Sequence, residues 1–188
     1  MSNNVDTKGY WLMNDLSEHR YDIKLNTEIL KTLNDFQIQS ILDLGAGPGQ
    51  YAQYFDSNNI PCDCYDGNPH TESLSNGKCK VLDLTNSITL NKKYDCVLSL
   101  EVGEHIPAEY ETVFIENIIN HASKLIIISW ATIGQGGHGH VNEKPNDYVE
   151  NKFLKYNWTR VLEVEKKLRD SAELWWFRGS ILVFKPNS

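Results

Sequence analysis

The chain has 188 residues, 40% of them hydrophobic and 23% charged, which fits one soluble globular domain with a sizeable core. Its net charge is −7 and it has no Lys/Arg block, so a general binder of phosphate backbones is disfavoured. A local site for an RNA end stays open, and a small neutral or cationic partner fits better.

No apolar stretch approaches the roughly 20 residues a membrane span needs. The start MSNNVDTKGYW has neither the basic opening nor the apolar core of a signal peptide, so a cytoplasmic protein is expected.

Residues 1–20 are polar, with Tyr10 and Trp11 among them, and read as an irregular arm or short helix. From Asp22 to Leu33 the apolar residues recur at helical spacing. Ile38–Leu44 reads as a buried strand, Gly49–Phe55 as the opening of a helix, and Ile60–Tyr65 as a second strand. A short third strand is expected at Lys80–Leu84 and a fourth at Tyr94–Leu100. Ala108–His121 has helical periodicity, and Lys124–Trp130 is a fully apolar fifth strand. The Gly-rich stretch 131–146 is a loop. Helices near 147–155 and 161–171 follow, then a closing strand at Gly179–Lys185.

Strands that are near-continuous apolar runs, alternating with helices, imply a mostly parallel sheet covered on both faces. One doubly wound domain over 1–188 is expected, with the arm 1–20 and the loop 131–146 as its additions.

Four cysteines occur: Cys62, Cys64, Cys79 and Cys96. Cys62 and Cys64 alternate along a strand and so share a face. No C-x-x-C pair of a zinc site is present. Buried free thiols in a reducing compartment are expected.

The first strand runs into ILDLGAGPGQ, residues 41–50. A strand, a glycine turn and a helix present backbone N–H groups to a ligand at the sheet's carboxyl edge. Gly45 and Gly47 permit φ > 0 and close approach. A dinucleotide site wants a third glycine at position 50, where this chain has Gln50; its glycines fall at 45, 47 and 49. Asp43 would repel a pyrophosphate but suits a ligand with an ammonium group. A glycine turn can also be only a turn, Asp66 a helix cap and Asp83 a loop acid.

D-x-G-x-G-x-G resembles the first motif of class I S-adenosylmethionine-dependent methyltransferases. That resemblance implies a Rossmann-like α/β fold with seven strands, the last antiparallel. It places Asp43, Gly45, Ala46, Gly47 and Gly49 at the amino acid end of S-adenosylmethionine. It also implies that Asp66, with Gly67 beside it, pairs with the ribose hydroxyls. Asp83 would meet the adenine amino group, with Leu84 and Leu100 completing the pocket.

After the fourth strand comes SLEVGEHIP, residues 99–107. Glu101, Glu104 and His105 would share one face if a helical turn begins there. Two carboxylates and an imidazole can hold a divalent cation, with a further ligand from His138 or His140 in the loop after strand five. E-x-x-E-H also resembles two metal-using methyltransferase groups, those of ubiquinone biosynthesis and those acting on small-RNA 3′ ends. On that resemblance Glu101, Glu104, His105 and His140 are the ligands, and Glu104, His105 and His140 the catalytic set. Many class I methyltransferases carry similar residues without metal, the histidine then being structural or a base.

Tyr10, Trp11, His19 and Tyr21 fit either a lid or a core stripe. Trp175, Trp176 and Phe177 fit core packing better than a substrate box, and Arg178 a solvated position better than an acid clamp. The expected function is methyl transfer from S-adenosylmethionine to oxygen of a small hydroxylated acceptor, assisted by a divalent cation. The alternatives are a metal-free N- or O-methyltransferase with a histidine base, and a cofactor-binding module without chemistry. A nicotinamide-dependent oxidoreductase is disfavoured by Gln50. The oligomeric state is not legible.

Overall fold

A computed structural model describes residues 4–187. Seven strands form one sheet in the order β3-β2-β1-β4-β5-β7-β6. They are β1 (Ile41–Leu44), β2 (Cys62–Asp66), β3 (Lys80–Val81), β4 (Tyr94–Ser99), β5 (Ala122–Ser129), β6 (Trp158–Arg160) and β7 (Ile181–Pro186). Pairing is parallel from β3 through β5, and β7 runs antiparallel to both β5 and β6. This is the Rossmann-like sheet the sequence implies, with its last strand reversed.

Period-two alternation sorts the strand residues onto two cores. On one face Ile41, Cys64, Leu98, Ile127 and Val183 pack with α1 (Ile23–Asp35), α2 (Gln50–Ser57) and α6 (Leu162–Ser171). On the other, Leu42, Leu44, Val97, Ile126 and Leu182 meet α4 (Glu111–His121) and α5 (Asn146–Leu154). Asp22 caps α1 by accepting from the Leu25 N–H at 2.9 Å. Its second oxygen takes the N–H groups of Glu173 and Leu174, so one buried carboxylate ties α1 to the chain after α6.

Several expectations shift. The third strand is only Lys80–Val81, because beyond it Asp83 gathers a turn about itself through Thr85 and Asn86. The helices α3 (Thr71–Leu74) and α7 (Phe177–Ser180), and strand β6, were not expected from the sequence. The closing strand begins at Ile181 rather than Gly179 because α7 occupies the residues before it. The loop 131–146 is irregular up to α5, as expected.

The cysteines need a correction. Cys64 and Cys79 form a disulfide with Cα atoms 4.7 Å apart, while Cys62 and Cys96 are buried free thiols. The cause is register: Tyr65 pairs with Lys80, which brings the preceding residues face to face within bridging distance. No helix among the described residues is long and apolar enough to cross a membrane.

Candidate functional site

A cavity of about 410 Å³ opens at the carboxyl ends of β1, β2 and β4, a usual ligand position in open α/β sheets. Asp43, Gly45, Ala46, Gly47, Asp66, Gly67, Asp83, Leu84 and Leu100 all line it, as do Glu101, His105 and His140. Of the expected cofactor and metal residues only Gly49 and Glu104 lie off its wall.

The glycine turn does less donating than the sequence suggests. The N–H groups of Gly45 and Ala46 go to the Tyr65 carbonyl at 2.8 and 3.0 Å, and that of Gly49 to the Ala46 carbonyl. Gly47 donates to Asp66 at 2.8 Å. What the turn supplies is room. Gly45 has φ +85° and any Cβ would run into the Val102 side chain; Gly49 has φ +74° and its Cβ would lie 2.5 Å from Cys79 Sγ. A side chain at either place would displace Val102, Cys79 or the turn itself.

Three acids face this space. Asp43 is buried at the end of β1; burial, then the nearby Asp66, raises its carboxyl from an ordinary 3.8 to about 8. Asp66 accepts from the Gly47 and Asn68 N–H groups, and burial still holds it above the ordinary carboxylate range. Asp83 goes the other way. Burial opposes its ionisation, but hydrogen bonds from Lys8 at 2.5 Å and from Thr85 outweigh that and lower it.

Lys8 belongs to the arm, which folds over the cavity. Tyr10 covers Gly67, and His19 lies over Gly47. The Trp11 ring sits 5.2 Å from that of His19, 5.7 Å from His105 and 6.1 Å from His138. Trp11 Nε1 and His19 Nε2 are buried without hydrogen-bond partners among the described residues. Tyr21 instead packs edge-on against Tyr51 and lies away from the cavity.

After β4 the chain makes turns rather than a helix. His105 N–H reaches the Val102 carbonyl and Ile106 N–H that of Gly103. Glu101 has φ +54°, uncommon for a residue with a side chain. Its N–H is held by Ser129 Oγ at 2.7 Å, and its carboxylate accepts from Gln135 and Ser180. Glu101 stands outside the group of three ligand atoms formed by Glu104, His105 and His140, but its charge still acts on Glu104 and His140.

The other three converge. One carboxylate oxygen of Glu104 and one ring nitrogen each of His105 and His140 lie within 4.8 Å of one another. Glu104 Oε1 is 4.0 Å from His105 Nε2 and 3.9 Å from His140 Nε2. Glu104 is fully buried and, among the described residues, that oxygen has no hydrogen-bond partner, while Oε2 accepts from the Ala131 N–H at 3.3 Å. Burial, then Glu101, raises its carboxyl well above the ordinary range. Burial, then His140, lowers His105 to about 4, so its ring is neutral at pH 7.

Each histidine offers its other nitrogen to an acceptor: His105 Nδ1 to the Gly139 carbonyl at 3.3 Å, His140 Nδ1 to Glu143 at 3.0 Å. Those partners place a proton on each Nδ1, so that the neutral form of each ring turns its Nε2 lone pair toward Glu104. A buried, orphaned carboxylate oxygen facing two lone pairs fits a cation.

Trp176 and Phe177 line the cavity, and Trp175 stands at its rim, 63% exposed. Arg178 bonds the Ala172 carbonyl and points away from the cavity. Lys8, Gln135 and Glu143 are site residues the sequence did not single out. Only the last had a local signal, standing three residues after His140.

Neither a protein-family model nor a curated protein matches the sequence. Solved structures do match the fold. The SAM-bound magnesium protoporphyrin IX methyltransferase of Synechocystis PCC 6803 is 14% identical with a TM-score of 0.64, over 92% of this chain and 88% of that one. The sugar N-methyltransferase KedS8 of Streptoalloteichus is 10% identical with a TM-score of 0.69, over 88% of each chain. The methyltransferase domain of a bacterial CtHen1-C is 12% identical with a TM-score of 0.62, over 88% of this chain and 98% of that one. At such identities the likeness establishes a shared fold.

Proposed function

We propose that the protein is an S-adenosylmethionine-dependent methyltransferase that acts, with a divalent cation, on an oxygen of a small hydroxylated acceptor. The observation that carries this reading is the Glu104–His105–His140 cluster, with its orphaned carboxylate oxygen, opening onto the same cavity as Asp43 and the glycine turn.

When bound, S-adenosylmethionine supplies a sulfonium methyl that needs only an aligned lone pair, and a cation supplies charge that eases loss of a hydroxyl proton. The chain's own residues do the rest. Asp43 offers a carboxylate to the donor's ammonium, Asp66 its oxygens to ribose hydroxyls, and Asp83, beside Leu84, an acceptor for the adenine amino group. Gly45 to Gly49 keep the wall thin enough for close approach. Glu104, His105 and His140 would hold the cation. Trp11, between His19 and His105, screens the reacting space from water. Glu101, with Gln135 and Ser180 upon it, shapes the wall beside the acceptor.

The known substrates of the structural neighbours range from a porphyrin to sugars, so the acceptor follows from this chain's own cavity. The acidic chain disfavours a long nucleic acid, and the cavity suits a small molecule.

The test is a screen of hydroxylated acceptors with methyl-labelled S-adenosylmethionine, with and without a chelator. Turnover lost in chelator and restored by a divalent cation supports the reading. Turnover that persists rejects the cation and leaves a metal-free enzyme with His105 or His140 as base.

A further inference from the structure

Glu143 does more than stand beside His140. Its Oε1 accepts both from His140 Nδ1 at 3.0 Å and from the Gly136 N–H at 2.7 Å, and its Oε2 accepts from the Gly134 N–H at 2.7 Å. Three donors from one loop thus converge on a single carboxylate. Gly134 and Gly136 have φ +85° and +69°, which turns their N–H groups toward it. Between them Gln135 extends across the cavity wall to Glu101 at 2.8 Å. Glu104, from the opposite side, holds the far end of the same loop: its carbonyl accepts the N–H groups of Val141 and Asn142, each at 2.9 Å.

The geometry points to Glu143 as the positioning residue of the cation site: it fixes the tautomer and ring orientation of His140 and, through the same carboxylate, the loop that carries it. This rests on the proposed function. A carboxylate on Nδ1 requires the proton there, so Nε2 keeps its lone pair toward Glu104. Without it the ring is free to protonate on Nε2, which would place an N–H where a ligand lone pair is needed. The carboxylate does not reach the cluster itself; it acts through His140. Glu143→Gln is the informative change. An amide has one acceptor oxygen where the loop presents three donors, and its NH2 group would face an N–H.

The experiment uses the full chain, freed of metal by chelator. Cobalt(II) is titrated in, followed by its visible absorption, with S-adenosylmethionine binding measured by calorimetry. Histidine-selective ¹⁵N spectra of the metal-free protein give the His140 tautomer. The expected result is a His140 proton on Nδ1 in the native chain and a growing Nε2–H population in Glu143→Gln. Cobalt affinity should fall 10–100-fold while donor affinity changes less than twofold.

A purely structural role would move stability and donor binding together and leave the tautomer alone. Unchanged cobalt affinity and tautomer in the variant overturn the inference and leave the cation site standing. A native chain that binds no cobalt overturns the cation site, and this inference with it. A native His140 protonated on Nε2 overturns the inference with no variant needed.

Discussion

Asp43 offers the sharpest test of the proposed donor site. Its carboxyl is raised from 3.8 to about 8, first by burial and then by Asp66. At pH 7 the empty protein therefore holds the proton on about nine chains in ten. An ammonium group brought against Asp43 favours the carboxylate, so donor binding at that pH should release close to one proton. Calorimetry in two buffers of different ionisation enthalpy reads that proton directly. Donor affinity should strengthen as pH rises toward 8, by up to about tenfold per unit, and Asp43→Asn should abolish both effects.

Stability has the opposite sign. A carboxyl whose folded value lies above its unfolded one contributes stability that is complete below pH 3.8 and is lost as pH rises to about 8. By pH 7 that loss reaches about 4 kcal/mol, so Asp43→Asn should make the empty protein more stable while weakening donor binding. Binding without proton release, or an Asn variant that binds as well as the native chain, would refute the role given to Asp43.

Other predictions concern neighbouring residues. Gly45→Ala should cost at least about 2 kcal/mol in denaturant unfolding, because a Cβ there meets Val102 on a backbone at φ +85°; an unchanged midpoint contradicts this. Glu104→Ala should remove bound metal, measured by elemental analysis, and leave donor affinity within threefold, since Glu104 is absent from the cavity wall. Cys79→Ser should lower the stability of the oxidised protein by about 3 kcal/mol, because the bridge closes a 15-residue span. Thiol titration of the unfolded, unreduced chain should accordingly find two free thiols and not four.

Much of the fold was legible because the central strands are continuous apolar runs that only a sheet covered on both faces can bury. β6 was not: Trp158–Arg160 is three residues long, two of them polar, and exists because β7 lies alongside it. The glycine turn and the three acids could be placed because each stands at, or within two residues of, the carboxyl end of a strand.

The place of Glu101 is not legible from spacing, because a helical turn would put it on one face with Glu104 and His105, and its left-handed backbone replaces that turn. The disulfide is not legible in the sequence because β2–β3 register depends on the turns between them, which no local pattern encodes. Lys8 and Gln135 act across 75 and 34 residues of sequence, beyond any spacing rule.

The most direct measurement is equilibrium dialysis of the native chain against labelled S-adenosylmethionine, with a nicotinamide dinucleotide as competitor. One saturable site per chain, unaffected by the dinucleotide, is the predicted result. Absence of donor binding, or its displacement by the dinucleotide, would contradict the account.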